Sequence, residues 1–171
     1  MTAGSLGWWG GKVRQARRHL LGRVSSSERA GLAGWLSPAE LALFDSMHLA
    51  DRRHGLDVVE WLRTSGGGAS AGDRDLLVAG LLHDAGKGAT GFLPRVMYAL
   101  GQAYGPAIAR LVGWWPGMIG DLDRLRTHPE TSAALAQAAG CSSRVVELIR
   151  HQEEPSGDAA GERLRLADEA S

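Results

Sequence analysis

Apolar residues recur along most of the chain with the spacing of amphipathic helices. His54, Val58, Trp61 and Leu62 stand at positions i, i+4, i+7 and i+8, so one helix would place them on the same face. The run Leu76–Leu82 is continuously apolar and has the length and pattern of a buried helix. No stretch alternates as a strand does, and β-branched residues are sparse. The pattern therefore predicts an all-α fold.

The same pattern locates the individual helices and some of their ends. Ser37 with Glu40, and Thr127 with Glu130, each read as a capping box with proline in the first turn. Residues 65–72, SGGGASAG, predict a flexible loop between two helices of one domain. The predicted helices span roughly Trp9–Val24, Ser27–Leu36, Pro38–Met47, Leu49–Thr64, Arg74–Asp84, Phe92–Gly101, Pro106–Trp115, Pro116–Arg126, Pro129–Ala139, Ser142–Gln152 and Gly157–Ala170.

Length and composition are those of one soluble globular domain. The chain has 171 residues, of which 44% are hydrophobic and 22% charged, enough to bury a sizeable core. We expect residues 1–40 to form an N-terminal helical extension packed on the same domain, and residues 41–171 to form the main helical bundle.

The charge balance, the prolines and the single cysteine bear on which partners and which cellular compartment the sequence predicts. The 19 basic and 19 acidic residues cancel, so no nucleic-acid partner is predicted. Prolines interrupt the long apolar region between residues 89 and 120, so no membrane span is predicted either. The lone Cys141 excludes an intrachain disulfide and favours a cytoplasmic location. The N-terminal stretch is not typical of a secretory signal.

A histidine and an aspartate follow the buried apolar run directly, in the sequence LLHDAGK. Burying such polar groups without partners costs roughly 2–7 kcal/mol each, and more for a charge. A metal ion would compensate both His83 and Asp84. Four histidines with two aspartates provide the nitrogen and oxygen ligands that transition metals prefer. These candidates are His54, His83, His128, His151, Asp84 and Asp168.

The order of these residues resembles the HD-domain superfamily of metal-dependent phosphohydrolases. That family has a histidine, then a His-Asp pair, then a distant aspartate, with further histidines between them in binuclear members. The resemblance covers roughly residues 41–170. The matching segments are RRHGLDVV with His54, LLHDAGK with His83 and Asp84, THPETSAAL with His128, IRHQEEP with His151, and RLADEA with Asp168.

The resemblance implies a compact helical bundle with a metal site at its centre. His54, His83, Asp84 and Asp168 would bind a first ion. Asp84 would bridge to a second ion held also by His128 and His151. One or two divalent ions, Mn²⁺ or Fe²⁺, would then activate a hydroxide that attacks a phosphomonoester or a nucleotide-type phosphoester. Asp84 and Lys87 would be the catalytic residues, with Lys87 holding a phosphate oxygen; the alternative for Lys87 is a solvated lysine after a helix stop.

The chain departs from one branch of the family, and two functions besides phosphoester hydrolysis stay open. Gln152 stands where the branch that cleaves cyclic di-GMP has a second histidine, and the Gly-Tyr-Pro segment of that branch is missing. Hydrolysis of cyclic di-GMP is therefore not expected. The alternatives are a non-catalytic module that binds a nucleotide or a partner, and a di-iron oxygenase on the same fold.

Overall fold

A computed structural model of the chain describes residues 23–64, 73–88, 90, 94, 98 and 117–171. These residues form eight α-helices and contain no strand, which confirms the all-α prediction. The helices are α1 (Ser26–Leu32), α2 (Pro38–Ser46), α3 (Leu49–Thr64), α4 (Arg74–Leu82), α5 (Met118–Arg126), α6 (His128–Ala138), α7 (Ser143–Arg150) and α8 (Ala159–Ala170), with a 3₁₀ turn at Ala85–Lys87.

Three of the sequence predictions lie wholly or almost wholly outside the described residues. These are the predicted helices at Phe92–Gly101 and Pro106–Trp115 and the predicted loop at residues 65–72. Of the predicted helix at Trp9–Val24, only residues 23 and 24 are described, and they are not helical. The described helices match their predicted spans to within a few residues.

One of the two predicted capping boxes is present and the other is wrong. The Ser37 hydroxyl accepts a hydrogen bond from the Glu40 backbone N–H, and the Glu40 carboxylate accepts one from the Ser37 backbone N–H at 2.7 Å. Thr127 makes no side-chain cap. Its hydroxyl instead donates to the Asp123 carbonyl of α5 at 2.9 Å, because Thr127 is the single residue between the end of α5 and the start of α6.

Helix α4 lies at the centre of the described fold. Every residue from Leu76 to Leu82 is buried, and α3, α7 and α8 pack around this helix. Leu32 and Leu36 are buried in the same hydrophobic core, so α1 and the turn that follows it pack on the other helices; residues 1–22 of the predicted N-terminal extension lie outside the described residues. Because α4 has no exposed face beyond its first turn, its C-terminal end lies in the protein interior. The residues that follow this end therefore begin in the interior as well.

Two glycines allow backbones to approach closely beside these residues. A Cβ on Gly55 would lie 2.5 Å from the Leu81 carbonyl oxygen, so α3 and α4 touch through their backbones. A Cβ on Gly86 would lie 2.7 Å from the Ser132 backbone nitrogen in α6, and the Gly86 N–H donates to the Ser132 hydroxyl at 2.8 Å. These contacts hold His54, the residue before Gly55, close to the end of α4, and they hold the start of α6 there as well.

Within the described parts of the chain, none of the helices combines the length and the apolar character that a membrane crossing requires.

Candidate metal centre

Two histidines and one aspartate converge where α4 ends. His83 caps α4, Asp84 follows it, and His54 comes from the middle of α3; all three side chains are buried. One ligand atom from each lies within 4.8 Å of the others, so the group could hold a metal ion. The His83 Nε2 atom is 3.3 Å from Asp84 Oδ1, and the His54 Nε2 atom is 4.0 Å from Asp84 Oδ2.

Asp168 reaches the same place from α8, the last helix. Its Oδ1 atom is 2.7 Å from His54 Nε2 and 3.4 Å from His83 Nε2. The Asp168 side chain is 47% exposed, so it forms the outer wall of the cluster, whereas Asp84 is only 1% exposed. A carboxylate thus faces the two imidazoles from each side, one buried and one open to solvent.

The cluster leaves two inward-facing polar atoms unsatisfied. Neither His83 Nε2 nor Asp84 Oδ1 is hydrogen-bonded within the described part of the chain, although both are buried. The other ring nitrogen of His83, Nδ1, lies 2.9 Å from the Gly80 carbonyl oxygen and therefore donates its proton there. In the neutral ring this leaves the lone pair on Nε2, the arrangement that metal-binding histidines adopt. The residues present therefore fit a bound metal ion.

The charges within the site strongly shift the pKa values of His83 and Asp84. Burial alone would lower the pKa of His83, but the Asp84 and Asp168 carboxylates outweigh it and raise that pKa to about 9. Burial would raise the pKa of Asp84, yet the neighbouring His83 and Lys87 lower it well below the usual range. Both carboxylates are thus charged at neutral pH and attract a cation.

His128 lies next to the cluster at the first position of α6. Its Nε2 atom is 3.5 Å from Asp84 Oδ1, and its Nδ1 atom is 2.6 Å from the Leu125 carbonyl oxygen. Burial lowers the pKa of His128, so the neutral ring with a free Nε2 lone pair is favoured. The Gln152 side-chain amide faces that lone pair, with its Nε2 atom 3.4 Å away.

His151, the remaining predicted ligand, is not brought into the cluster. It is the residue after the end of α7, and its side chain is exposed. Gln152, one residue on, is buried and donates to the His83 carbonyl oxygen at 3.3 Å. The chain therefore presents an amide to the site at the position where the sequence analysis placed an imidazole.

Lys87, at the end of the 3₁₀ turn, faces Asp84. Its Nζ atom is 2.6 Å from Asp84 Oδ2, and its side chain is 22% exposed. Burial opposes the charged ammonium, but the Asp84 and Asp168 carboxylates raise the pKa of Lys87. The ammonium group is therefore charged, partly open to solvent and fixed beside the cluster.

Two buried polar residues near the site were missed by the sequence analysis. Ser132 holds the 3₁₀ turn on α6. Asp51 is buried one turn before His54 on α3, and its negative charge adds to the raised pKa of Lys87. The spacing of three residues between Asp51 and His54 was a signal for a shared helix face.

Comparison of the chain with models of known protein families, with curated proteins and with solved structures finds no match.

Proposed function

We propose that this chain is a metal-dependent phosphohydrolase of the HD-domain superfamily. Its substrate would be a phosphomonoester or a nucleotide-type phosphoester. The observation that supports the proposal best is the buried pair of unsatisfied atoms, His83 Nε2 and Asp84 Oδ1, which lie 3.3 Å apart beside Lys87. An unsatisfied buried polar group costs about 1–3 kcal/mol, so two facing atoms of this kind favour a missing ligand over a purely structural role.

His54, His83, Asp84 and Asp168 are the residues that would hold the ion. They combine two imidazoles with two carboxylates, a donor set that suits Mn²⁺ or Fe²⁺. When bound, such an ion supplies Lewis acidity, which activates water and polarises a phosphoryl oxygen. The partly exposed Asp168 leaves the cluster accessible from the solvent side, whereas Asp84 closes it on the inside.

Lys87 supplies the positive charge that a phosphoester needs at this site. Its ammonium group is held by the Asp84 carboxylate and keeps contact with solvent, so it can receive a phosphate oxygen without a rearrangement of the backbone. An ammonium group binds phosphate as a point charge with three donors. We infer that Lys87 orients the substrate and offsets the negative charge that increases in the transition state.

A cytoplasmic location is part of the proposal, because the lone Cys141 excludes an intrachain disulfide.

The Cys141 thiol takes no part in the proposed chemistry. Burial, with the Glu40 carboxylate nearby, raises the pKa of this thiol to about 12. A thiol with so high a pKa stays protonated at neutral pH and is a poor nucleophile, so Cys141 has no role in the proposed chemistry.

A substrate screen with two matched aspartate variants tests this function. The protein is stripped of metal with a chelator and reloaded anaerobically with Mn²⁺ or Fe²⁺. Phosphate release is then measured with p-nitrophenyl phosphate and with nucleoside mono-, di- and triphosphates. We expect turnover that depends on the metal, is lost in Asp84→Asn and is kept in Asp45→Asn, since Asp45 is paired with Arg29 on the surface.

Two results would contradict the proposal. If Asp84→Asn turned over as fast as the wild type, the reaction would occur elsewhere. If nucleotides bound to the reloaded protein without any phosphate release, the chain would be a binding module.

A further inference from the structure

We propose that the centre binds one metal ion per chain, because Lys87 and Gln152 occupy the positions that a second ion would need. This inference rests on the proposed metal-dependent function and specifies its metal content. It differs from the binuclear arrangement that the sequence resemblance implies, in which Asp84 bridges two ions.

The Asp84 carboxylate has only one oxygen to offer. Oδ1 is unsatisfied and lies 3.3 Å from His83 Nε2 and 3.5 Å from His128 Nε2, so this single oxygen faces the imidazoles of both candidate ion positions. Oδ2 accepts a hydrogen bond from Lys87 Nζ at 2.6 Å. A second ion on Oδ2 would have to displace this ammonium group and would be repelled by it at short range.

The His128 imidazole is also engaged. Its Nδ1 proton is donated to the Leu125 carbonyl oxygen, so Nε2 carries the only lone pair. The Gln152 amide nitrogen lies 3.4 Å from that Nε2 atom and 3.3 Å from the His83 carbonyl oxygen. A carbonyl oxygen can only accept, so the amide must present its N–H groups on this side, and an amide N–H has no lone pair for a metal.

No other imidazole among the described residues replaces the missing ligand. His151 is exposed, and His54 and His83 already face Asp168 at the first ion's position. A second ion would therefore have to share Asp84 Oδ1 with the first ion, and it would find the His128 nitrogen already facing an amide N–H. Lys87 adds a fixed positive charge beside the same carboxylate, which opposes a second cation.

Counting the ions on the wild-type chain is the first part of the test. Metal-free protein is incubated with excess Mn²⁺ and desalted, and its manganese is measured by plasma mass spectrometry beside the protein concentration. We expect one ion per chain and the electron paramagnetic resonance spectrum of an isolated Mn²⁺ ion. Two ions per chain, with an exchange-coupled spectrum, would overturn this inference and leave the proposed function intact. A chain that binds no Mn²⁺ would contradict both.

A double variant tests whether these two residues set the count. Lys87→Met with Gln152→His frees Asp84 Oδ2 and adds an imidazole beside His128, so we expect two ions per chain and an exchange-coupled spectrum. The control double variant is Arg150→Met with Glu154→His, which makes the same kinds of change on the exposed surface nearby. It should keep one ion.

Circular dichroism establishes that each variant is folded before its metal is counted. If the first double variant loses its helical signal, Lys87→Gln with Gln152→Glu is used, because it frees the same oxygen and supplies a carboxylate. A folded double variant that still bound one ion would overturn the assignment to Lys87 and Gln152.

Discussion

Two buried carboxylates stand at opposite ends of α4 and have different surroundings. Near its start, Glu40 is 2% exposed, and its Oε2 atom accepts hydrogen bonds from the Ser37 N–H at 2.7 Å and from Arg74 at 2.6 Å. Beyond its end, Asp84 is 1% exposed; its Oδ2 accepts from Lys87, whereas Oδ1 has no hydrogen bond within the described residues.

The difference separates a structural polar cluster from a functional one. Arg74 also donates to the Trp35 carbonyl oxygen, so the Glu40 cluster supplies its own partners and connects α2 to α4. At Asp84 the facing atom is an equally unsatisfied imidazole nitrogen. Protein interiors rarely leave such atoms without a partner, and two that face each other define a place for a third group. A buried charge alone therefore does not identify a site; two unsatisfied polar atoms that face each other do.

The largest expected effect is loss of metal on removal of the outer carboxylate. Asp168→Ala should weaken Mn²⁺ binding by more than about 100-fold. Loss of a residue that only supports a metal ligand weakens binding by about 10- to 100-fold, so a larger effect would indicate a direct ligand. The fold should persist, because α8 docks through the buried Leu164 and Ala167. Isothermal titration with Mn²⁺ measures the affinity. Glu169→Ala is the control, since Glu169 pairs with Arg165 on the exposed side; equal affinities in the two variants would exclude Asp168 as a ligand.

Substitution in the Glu40 cluster at the start of α4 should lower the stability of the protein without changing its metal affinity. Glu40→Gln should lower the free energy of unfolding by about 1–3 kcal/mol, since it weakens a buried pair whose arginine partner stays partly solvated. Its metal affinity should stay that of the wild type. Urea unfolding checks the stability, with Glu147→Gln on the exposed face of α7 as the control, where about 0.5 kcal/mol or less is expected. A loss of metal in Glu40→Gln would mean that the two clusters are not independent.

The metal-free centre should make stability depend on pH. The folded-state pKa of His83 is raised from 6.5 to about 9, because the two carboxylates outweigh the effect of burial. A raised pKa gives stabilisation that is fully present below pH 6.5 and is lost as the pH rises through 9. The urea midpoint of metal-free protein should therefore fall across this interval. His83→Gln should remove the fall and His48→Gln, at an exposed position, should keep it; the same fall in both variants would show that another group is responsible.

The smallest expected effect is at His151. His151→Ala should leave metal affinity and unfolding free energy unchanged, because the side chain is exposed and outside the cluster. His54→Ala, which removes a buried imidazole, should lose the metal. The two variants are compared in one Mn²⁺ titration. Weakened binding in His151→Ala would support the four-histidine order of the sequence over the geometry of the structure.

Much of the fold was predictable because helix periodicity is a local property. The predicted span Leu49–Thr64 agrees with α3 at both ends, and the apolar run before His83 is the buried helix α4. The capping box at Thr127 failed because a tertiary arrangement decided it. Helix α5 passes into α6 with a single residue between them, so the Thr127 hydroxyl bonds backward to Asp123 and not forward.

The site was predictable in its residue types but less so in side-chain direction. His54, His83, Asp84 and Asp168 were found from their order and their apolar neighbours, and the structure brings them together. His151 and Gln152 are adjacent in a turn, where no helical period fixes which of the two side chains faces inward. Only the packing of α7 against the start of α6 decides that Gln152 is buried.

The most direct test of the metal centre is a crystal structure of the Mn²⁺-loaded protein with anomalous diffraction data. We predict one anomalous peak per chain, with His54, His83, Asp84 and Asp168 as its protein ligands. His83 Nε2 and Asp84 Oδ1 would then no longer be unsatisfied. Crystals of loaded protein with no peak between these four side chains, or with the peak elsewhere on the chain, would contradict the account.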